Sequence, residues 1–293
     1  MFNAQETDAC RRLIKLAIDE DLGVEGDLTS RALIPADRTG KAVFISRASG
    51  TLAGVAAASL VFEAIDPRVI FRPILRDGEI LVEASRIASV SGSLRSILAA
   101  ERIALNFMQH LCAVATQTRR YVQAVAGISC QILDTRKTTP GWRLLEKYAV
   151  RCGGGSNHRM GLYGAILIKD NHLAGLRITD CGLRFAEAVR RAGEIHGGDV
   201  PIELEVEDLE QFDAAIACKP RIIMLDNMSL DELREAVRRR NHCGQQEVLL
   251  EASGGITLLN VRAVAETGVD RISIGALTHS VQALDIALEY LDE

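Results

Sequence analysis

The sequence predicts an α/β protein whose carboxyl-terminal half is a β/α barrel or a doubly wound sheet. From residue 130 onward, short apolar stretches alternate with longer amphipathic ones, as strands alternate with helices in both folds. The short stretches are almost wholly apolar, which is typical of parallel strands that are covered on both faces. Reactive or small residues follow nearly every predicted strand. This favours the barrel, because all strands of a barrel end at one mouth.

The amino-terminal part has a different texture. A helix is predicted over residues 5–18, and an acidic, glycine-rich loop follows over 19–29. Short strands are predicted at 42–46, 69–75 and 79–82, and Asp77-Gly78 is a hairpin signal between the last two. The Ala- and Leu-rich stretch 96–118 contains neither Gly nor Pro, so it predicts a long helix.

Six strand-and-helix units are predicted in the second part. The predicted strands cover residues 130–133, 165–168, 202–206, 221–225, 247–250 and 271–274. The predicted helices cover residues 143–150, 180–195, 208–217, 229–240, 257–267 and 278–291. Ser229 and Glu232 have the spacing of a capping box, which marks the start of one of these helices.

Composition excludes several classes of protein. The chain has 293 residues, 34 Lys and Arg against 39 Asp and Glu, and a formal charge of −5, which argues against a general nucleic-acid binder. Only 4% of the residues are aromatic, so a platform for stacking bases is not expected. The seven cysteines include no Cys-x-x-Cys, and neither a signal peptide nor a membrane segment is recognisable. We therefore expect reduced thiols and a cytoplasmic location.

The average charge conceals a basic segment. Residues 134–172 contain seven Lys and Arg against three Asp and Glu, a net charge of +4, so the rest of the chain sums to −9. Four of these cations adjoin predicted strand ends or a glycine-rich loop, where they predict an anion-binding site: Arg136, Lys137, Arg159 and Lys169. Four charges of mixed sign at helical spacing predict a solvated helix face instead: Arg143, Glu146, Lys147 and Arg151.

Two glycine-containing loops and two acids complete the candidate site. Ser253-Gly-Gly255 and Ile274-Gly-Ala276 each follow a predicted strand, where exposed backbone N–H groups suit a phosphate. Glu205 and Asp226 end neighbouring strands, so they could hold Mg²⁺, face a cationic sugar centre, or form salt bridges with the nearby cations. Spacing does not choose among Glu203, Glu205 and Glu207, which share a face.

Several strings of the sequence together resemble those of the quinolinate phosphoribosyltransferase family, over essentially the whole chain. They include Arg102 to His110, Asp134-Thr-Arg-Lys-Thr-Thr-Pro-Gly141, Gly153-Gly-Gly-Ser-Asn-His-Arg159, Leu167-Ile-Lys-Asp-Asn-His172, Leu250-Glu-Ala-Ser-Gly-Gly-Ile256 and Ser273-Ile-Gly-Ala-Leu-Thr-His-Ser280. The resemblance implies transfer of phosphoribose from phosphoribosyl pyrophosphate to quinolinate with decarboxylation, in the de novo synthesis of NAD and with Mg²⁺. The products would be nicotinate mononucleotide, pyrophosphate and CO₂.

The resemblance also implies an architecture. An amino-terminal α/β sandwich over residues 1–116 is expected to join an incomplete, six-stranded β/α barrel over residues 117–277. The last helix, over 278–293, is expected to pack on the sandwich. A homodimer is expected in which Arg102 enters the partner's site, and assembly beyond the dimer stays open.

The resemblance implies a role for each candidate residue. Quinolinate is expected to contact Arg136, Lys137, His158, Arg159, Lys169 and the neighbour's Arg102. Lys137, Glu205 and Asp226 are the expected catalytic residues, with the two acids near the metal directly or through substrate and water. The 5′-phosphate is expected at Ser253, Gly254, Gly255, Ser273, Gly275 and Ala276.

Other functions stay open at the level of the sequence. The nearest is a molybdenum-transport-associated (ModD-like) homologue with the same scaffold and a different base. A Schiff-base aldolase using Lys169, or a sensor that binds nucleotides without turnover, are the others. The chain departs from the family's usual residues at a few positions outside the predicted catalytic set: Cys112, Ala113, Gly164 and Arg271.

Overall fold

The computed structural model describes residues 1–196 and 200–291, and its helices and strands have the following bounds. The helices are α1 (Ala4–Leu22), α2 (Leu28–Leu33), α3 (Val55–Ile65), α4 (Leu94–Ala124), α5 (Arg143–Cys152), α6 (Asp170–Ala174), α7 (Cys181–His196), α8 (Leu209–Ala217), α9 (Leu230–His242), α10 (Val261–Ala265) and α11 (Ala276–His279). The strands are β1 (Thr39–Ser46), β2 (Gly50–Thr51), β3 (Ile70–Pro73), β4 (Ile80–Leu81), β5 (Arg86–Ser93), β6 (Gln131–Leu133), β7 (Ile166–Ile168), β8 (Ile202–Val206), β9 (Ile222–Asp226), β10 (Leu249–Ser253), β11 (Arg271–Ser273) and β12 (Ile286–Tyr290).

The chain divides into two units. The first consists of Met1–Arg119, Lys137–Gly155 and the chain from Leu277 onward, and the second of Arg120–Arg136 and Ser156–Ala276. The resemblance implies a barrel over residues 117–277, whereas residues 137–155 group with the first unit in the structure. The reason is local packing, because α5 contacts α1, whose residues all belong to that unit.

The second unit contains the parallel sheet that the sequence predicts. Its strand order is β6-β11-β10-β9-β8-β7, and every pair is parallel. All six predicted strands are present. The sheet is not closed between β6 and β7 in the part of the chain that is described, so the unit is an incomplete β/α barrel. The predicted capping box is also confirmed, since the side chains of Ser229 and Glu232 each bond the other's backbone N–H at the start of α9.

The first unit is built on an antiparallel sheet of order β12-β1-β5-β3, and β2 and β4 form a separate two-stranded sheet. Helix α1 begins with a capping box of Asn3 and Glu6. The predicted long helix is confirmed as α4, and the chain passes from the first unit to the second within its last turns.

The prediction of a carboxyl-terminal helix over 278–293 is wrong for residues 280–291, and its last two residues, 292 and 293, lie outside the described part of the chain. Helix α11 ends at His279, and residues 286–290 form β12, which pairs with β1 from Ser46↔Ile286 to Ala42↔Tyr290. Leu284, Ile286 and Leu288 are buried in alternation with more exposed neighbours, a period of two. A short apolar segment of this kind is compatible with a strand or a helix. It forms a strand here because β1 has an edge with which its backbone can pair.

The predicted hairpin at Asp77-Gly78 is also wrong, because β3 pairs with β5 and β4 pairs with β2. Asp77 has a different task. Its carboxylate accepts the backbone N–H of Val55, the first residue of α3, at 3.1 Å, and the hydroxyl of Tyr148 on α5 at 2.7 Å. Asp77 therefore joins two helices rather than turning a hairpin.

A third correction concerns the helix face predicted to be solvated. Glu146 and Lys147 on α5 are fully buried, at 0% exposure. Mixed charge at helical spacing describes a pattern along one helix, and it carries no information about what packs against that helix. Within the described residues, no helix is long and apolar enough to cross a membrane.

Candidate active site

Neighbouring strands place ionisable side chains on one face of the six-stranded sheet. Glu205 of β8 lies opposite Met224 of β9, and Met224 lies opposite Glu251 of β10. Glu251 in turn lies opposite Arg271 of β11. Residues opposite one another in a sheet share a face, and Glu203 joins them because it precedes Glu205 by two residues. The sheet thus assembles three glutamates and an arginine from separate strands.

His158 connects two of these carboxylates. Its Nε2 lies 3.1 Å from Oε2 of Glu203 and 3.4 Å from Oε1 of Glu251. Arg271 Nε lies 3.0 Å from the other oxygen of Glu251. Glu203 is 2% exposed and Glu251 is 0% exposed. With two carboxylates and one guanidinium, this buried group is neutral only when His158 or Glu203 holds an additional proton.

The pKa shifts agree with that requirement. Burial alone lowers the pKa of His158, but the hydrogen bonds and charges of Glu203 and Glu251 outweigh burial and raise the pKa to about 9. Burial raises the pKa of Glu203, and the negative charge of Glu251 also raises it, against the effect of His158. Each of the two groups therefore favours the protonated form.

His158, Glu203 and Glu251 each bring one ligand atom within 4.8 Å of the others, which suggests a metal centre at first sight. However, the backbone N–H of Arg159 donates to Nδ1 of His158 at 2.8 Å. When the ring is neutral its proton therefore lies on Nε2, between the carboxylates, where a metal ion would have to replace it, and the ring takes a second proton only by giving up the bond from Arg159. The arrangement fits a group of ion pairs better than a metal site. It also engages both ring nitrogens of His158 with protein groups.

Asp134 fixes the loop that carries His158. It follows β6, is 0% exposed, and accepts the backbone N–H of His158 at 2.9 Å and the side-chain amide of Asn157 at 2.6 Å. These two bonds orient residues 157–159 from the end of β6. The glycines at 153–155, which begin the same motif, belong to the first unit.

Arg136 and Arg159 supply the positive charge of the second unit near this loop. Burial lowers the pKa of Arg159, and the charge of Arg136 lowers it further, so the two guanidinium groups lie close enough to repel. Arg159 Nη1 also donates to the carbonyl oxygen of Ala165 at 2.9 Å. Two neighbouring cations of this kind suit an anion that bears more than one negative charge.

Lys169 forms an ion pair with Glu205, which is one of the alternatives that the sequence leaves open. Asp226 accepts from the side-chain amide of Asn227 at 2.7 Å. Asp226 shares the face of Glu205, because it stands two residues after Met224. Carboxylate oxygens from neighbouring strands are donors that Mg²⁺ takes in proteins, so Glu205 and Asp226 fit that ion.

The two small-residue loops follow β10 and β11. Gly254 and Gly255 have φ angles of +90° and +61°, and a Cβ on Gly254 would lie 2.2 Å from Oδ1 of Asn227. Ser273 ends β11 at 4% exposure, and its Oγ has no hydrogen-bond partner among the described residues. Gly275 and Ala276 follow at the start of α11. A glycine is thus required at 254, and Ser253 and Ser273 end adjacent strands.

Arg102 and Lys137 belong to the first unit, and the other predicted site residues belong to the second. Arg102 lies on α4, and Lys137 lies in the loop before α5. A cavity of about 360 Å³ lies against β7 and α7, and of the predicted site residues it is lined by Arg159 alone. That cavity is apart from the acids and the glycine loops.

Sequence reasoning missed several residues of this arrangement. Glu251 lies in one of the strings that resemble the family, and Arg271 is one of the positions that depart from it. No spacing rule predicts that these two residues contact each other, or that Glu251 contacts His158. Asp134 stands in the sequence only as the first residue of the quoted string that ends at Gly141. The available signal was the run of charged residues within otherwise apolar strands, because a charge there needs a partner.

Cations, acids and phosphate-type loops at the ends of strands in an open β/α sheet define an anion-binding enzyme of the β/α-barrel class. The family model "Quinolinate phosphoribosyl transferase, N-terminal domain" matches residues 27–112, and the model of the C-terminal domain matches residues 114–289. The chain belongs to the quinolinate phosphoribosyl transferase family.

Named relatives span almost the full length. The nicotinate-nucleotide pyrophosphorylase [carboxylating] of Mycobacterium leprae is 43% identical over 99% of this chain and 100% of its own length. The probable enzyme of the same name from Bacillus subtilis is 40% identical over 95% of this chain and 92% of its own. Among solved structures, NadC from Streptococcus pyogenes matches with a TM-score of 0.90 and 35% identity, over 100% of this chain and 99% of that one. The nicotinate-nucleotide pyrophosphorylase from Francisella tularensis matches with a TM-score of 0.88 and 38% identity, over 97% and 96%.

Proposed function

We propose that this protein transfers phosphoribose from phosphoribosyl pyrophosphate to quinolinate and releases pyrophosphate and CO₂, leaving nicotinate mononucleotide. Relatives that share this family and nearly the full length bear the name of that activity. The observation within the molecule that carries the proposal is the pair Arg136 and Arg159, because the charge of Arg136 acts on Arg159 and lowers its pKa, an effect that an anion with two negative charges would offset. A pyridine with two adjacent carboxylates is such an anion.

The dicarboxylate would be held first by guanidinium groups, because their planar N–H pairs match a carboxylate. Arg136 and Arg159 supply these in the second unit, and Lys169 adds a point charge that it would share between Glu205 and a substrate carboxylate. Lys137 follows Arg136 directly in the chain and would act on the same ligand. His158 would orient this set through its bonds to Arg159 and the buried acids, and any direct contact with substrate would require one ring nitrogen to be released.

Bond exchange then takes place at the anomeric carbon of the ribose. The pyridine nitrogen donates its electron pair to that carbon while the bond to the pyrophosphate oxygen breaks. Positive charge develops on the sugar, and Glu205 and Asp226 would stabilise it electrostatically. These two carboxylates would also hold Mg²⁺, which neutralises charge on pyrophosphate when bound. Ser253, Gly254, Gly255, Ser273, Gly275 and Ala276 would hold the 5′-phosphate.

Decarboxylation follows from the charge of the ring. Once the nitrogen bears ribose, the ring is cationic, and the electron pair of the broken carbon–carboxylate bond remains on the ring carbon next to that nitrogen. Lys137 would add to this stabilisation as the carboxylate carbon leaves as CO₂. The ring carbon then takes a proton from solvent, which gives the nicotinate ring. Loss of one such donor typically lowers the rate about 10²–10³-fold.

The direct test is release of pyrophosphate and CO₂ by the purified protein from quinolinate plus phosphoribosyl pyrophosphate. Nicotinate serves as the control base, because it lacks the carboxylate that leaves. Turnover with quinolinate and none with nicotinate supports the proposal. Turnover only with another base would favour the ModD-like alternative, and binding of both substrates without turnover would favour a sensor. Removal of divalent ions with a chelator and restoration with Mg²⁺ tests the metal.

Two substitutions test the residues. Arg136→Ala and Lys137→Ala should each lower kcat/KM about 10²–10³-fold, because each removes a charge that faces the reacting ring. Arg234→Ala is the matched control, since that arginine lies on α9 at 53% exposure and its ion pair is with Asp231 of the same helix. Turnover near the wild-type rate by either of the first two variants would contradict the assignment.

We further propose a homodimer in which Arg102 completes the partner's site. If so, Arg102→Ala and Arg136→Ala are each inactive, but their mixture forms heterodimers with one intact site. After subunit exchange the mixture should recover about a quarter of the wild-type activity, as random pairing predicts. No recovery, with exchange verified by mass, would show that Arg102 acts within its own protomer.

A further inference from the structure

The loop that carries Lys137 is bound at three consecutive residues. We name residues 137–142 the Lys137 loop; they lie in the first unit and precede α5. The carbonyl oxygen of Lys137, the hydroxyl of Thr138 and the backbone N–H of Thr139 each take part in a hydrogen bond with a side chain from outside the loop. A short loop held at successive residues has little freedom to change the direction in which it presents a side chain.

Thr278 provides the first anchor. It lies on α11, is 2% exposed, and donates its hydroxyl to the carbonyl oxygen of Lys137 at 2.7 Å. The bond is made to the backbone of the lysine itself, so it acts on the position of the Cα rather than on the side chain. Thr278 and Lys137 are 141 residues apart in the chain, so this contact depends on the tertiary fold.

Glu146 provides the second anchor. Its carboxylate is fully buried, accepts the backbone N–H of Thr139 at 3.1 Å with one oxygen, and contacts Nε2 of His110 on α4 at 2.9 Å with the other. A buried carboxylate is costly unless it is well bonded, so its presence on α5 indicates that these two bonds are needed. Arg143, also on α5, donates to the hydroxyl of Thr138 at 3.0 Å.

The far end of the loop is held by aromatic packing. Trp142 stacks on Phe107 with ring centroids 4.8 Å apart, and the ring of His110 meets it edge-on at 5.1 Å. Both partners lie on α4. His110 therefore supports the loop twice, through Trp142 and through Glu146.

We propose that Thr278 and Glu146 are positioning residues that hold the backbone of the Lys137 loop so that the lysine faces the substrate ring. This proposal rests on the proposed function, in which Lys137 stabilises the ring that loses CO₂. A fixed backbone matters there, since a displacement of about 1 Å can lower a rate by as much as 10²-fold. Neither residue needs to touch the substrate.

A purely structural role would make a different prediction. If Thr278 and Glu146 only stabilised the first unit, their substitution would lower activity by the same factor whether or not Lys137 is present. If they position Lys137, the loss should vanish once the lysine is removed, because there is no longer a group to misplace. The double-mutant comparison therefore separates the two roles.

The experiment uses the full-length protein. Thr278→Val keeps the shape and removes the hydroxyl, Thr278→Ser restores the donor, and Glu146→Ala removes the second anchor. Thr118→Val is the matched control, because Thr118 is a fully buried threonine that also donates to a carbonyl oxygen, that of Val114 within α4. Each variant is assayed for kcat and KM, and Thr278→Val and Glu146→Ala are also combined with Lys137→Ala.

We expect Thr278→Val and Glu146→Ala to lower kcat about tenfold. Thr278→Ser and Thr118→Val should stay close to wild type, and no further loss should occur on the Lys137→Ala background. A tenfold loss that persists without Lys137 would overturn the proposal, as would a full-rate Thr278→Val. If Glu146→Ala does not fold, the two Thr278 variants decide.

A second readout is independent of turnover. Trypsin cleaves after Arg136 and Lys137, and a held loop resists it. Thr278→Val should accelerate cleavage at these two bonds, identified by peptide mass, whereas Thr118→Val should not. Unchanged cleavage would refute the anchoring itself. If the wild type is inactive but the cleavage rates differ as expected, the proposed function fails while the anchoring of the loop stands.

Discussion

Gly254 offers a sharp test of the loop after β10, because substitution to Ala would bring a Cβ against Asn227. The Cβ would lie 2.2 Å from Oδ1 and 3.0 Å from the backbone nitrogen of Asn227. Asn227 cannot move away freely. Its backbone N–H donates to the carbonyl of Ser253 at 2.8 Å, and its side-chain amide donates to Asp226 at 2.7 Å. Gly254→Ala therefore disturbs Asp226 through Asn227.

The expected free energy has two parts. The φ of +90° lies in the left-handed region, where an alanine costs about 1–2 kcal/mol. Forcing a methyl group into a filled space adds about 1–3 kcal/mol. Together, Gly254→Ala should lower the free energy of unfolding by about 2–5 kcal/mol.

Substitutions at two other glycines separate the cost of backbone strain from the cost of overpacking. Gly255 and Gly244 have φ angles of +61° and +68°, and a Cβ at either position would meet nothing within 4 Å. Gly255→Ala and Gly244→Ala should therefore show the backbone strain alone, about 1–2 kcal/mol. Gly244 follows α9 and is outside the predicted phosphate loops, so its variant is also the control for activity.

The assay is urea unfolding followed by circular dichroism, together with KM for phosphoribosyl pyrophosphate. Trp142 is the single tryptophan and lies in the first unit, so its fluorescence would not report on this loop. We expect Gly254→Ala to unfold at a lower urea concentration than Gly255→Ala and to raise KM or lower kcat at least tenfold, with Gly244→Ala active. Equal stability of Gly254→Ala and Gly255→Ala would refute the close approach of residue 254 to Asn227.

Three further predictions concern the buried group around His158. Arg271→Leu should lower the free energy of unfolding by about 3–5 kcal/mol, because the buried charge of Glu251 loses its guanidinium partner. The double variant with Glu251→Gln should recover most of the loss in urea midpoint, and no recovery would contradict the pairing. Folding raises the pKa of His158 from 6.5 to about 9, so the protonated ring stabilises the fold fully below pH 6.5 and this contribution is lost as the pH rises toward 9. The urea midpoint should therefore fall less steeply with pH between 6.5 and 9 in His158→Gln than in the wild type. An identical dependence on pH in the two proteins would count against the raised pKa. Asp134→Ala should cost about 1–3 kcal/mol by calorimetry or urea unfolding, since two partly buried donors, the N–H of His158 and the amide of Asn157, lose this acceptor. A loss below about 0.5 kcal/mol would argue against those bonds.

Much of the second unit is readable from sequence because its strands are buried on both faces. Apolar stretches bounded by helical periodicity predict all six strands of the sheet, and the capping box at Ser229 marks the start of α9 correctly. The same alternation predicts that polar residues at strand ends gather at one edge. These signals are local, since they depend on residues near one another in the chain.

The wrong predictions share a cause. Residues 286–290 form a strand because β1 has an edge to pair with, and Asp77 binds α3 and α5 because those helices pack beside it. Glu146 and Lys147 are buried for the same kind of reason, because what covers α5 comes from distant parts of the chain. A pattern within one segment does not specify its neighbours.

The sequence by itself determined the strand-and-helix order, the local excess of positive charge and the loops suited to phosphate, and its strings resembled one family throughout. Only the tertiary structure decided that Glu203 and Glu251 share His158, that Arg271 neutralises one of them, and that Thr278 holds the backbone of Lys137. The physical reason is that periodicity and capping act over a few residues. The energies of buried charges and of their hydrogen bonds depend on which strands and helices the fold brings into contact.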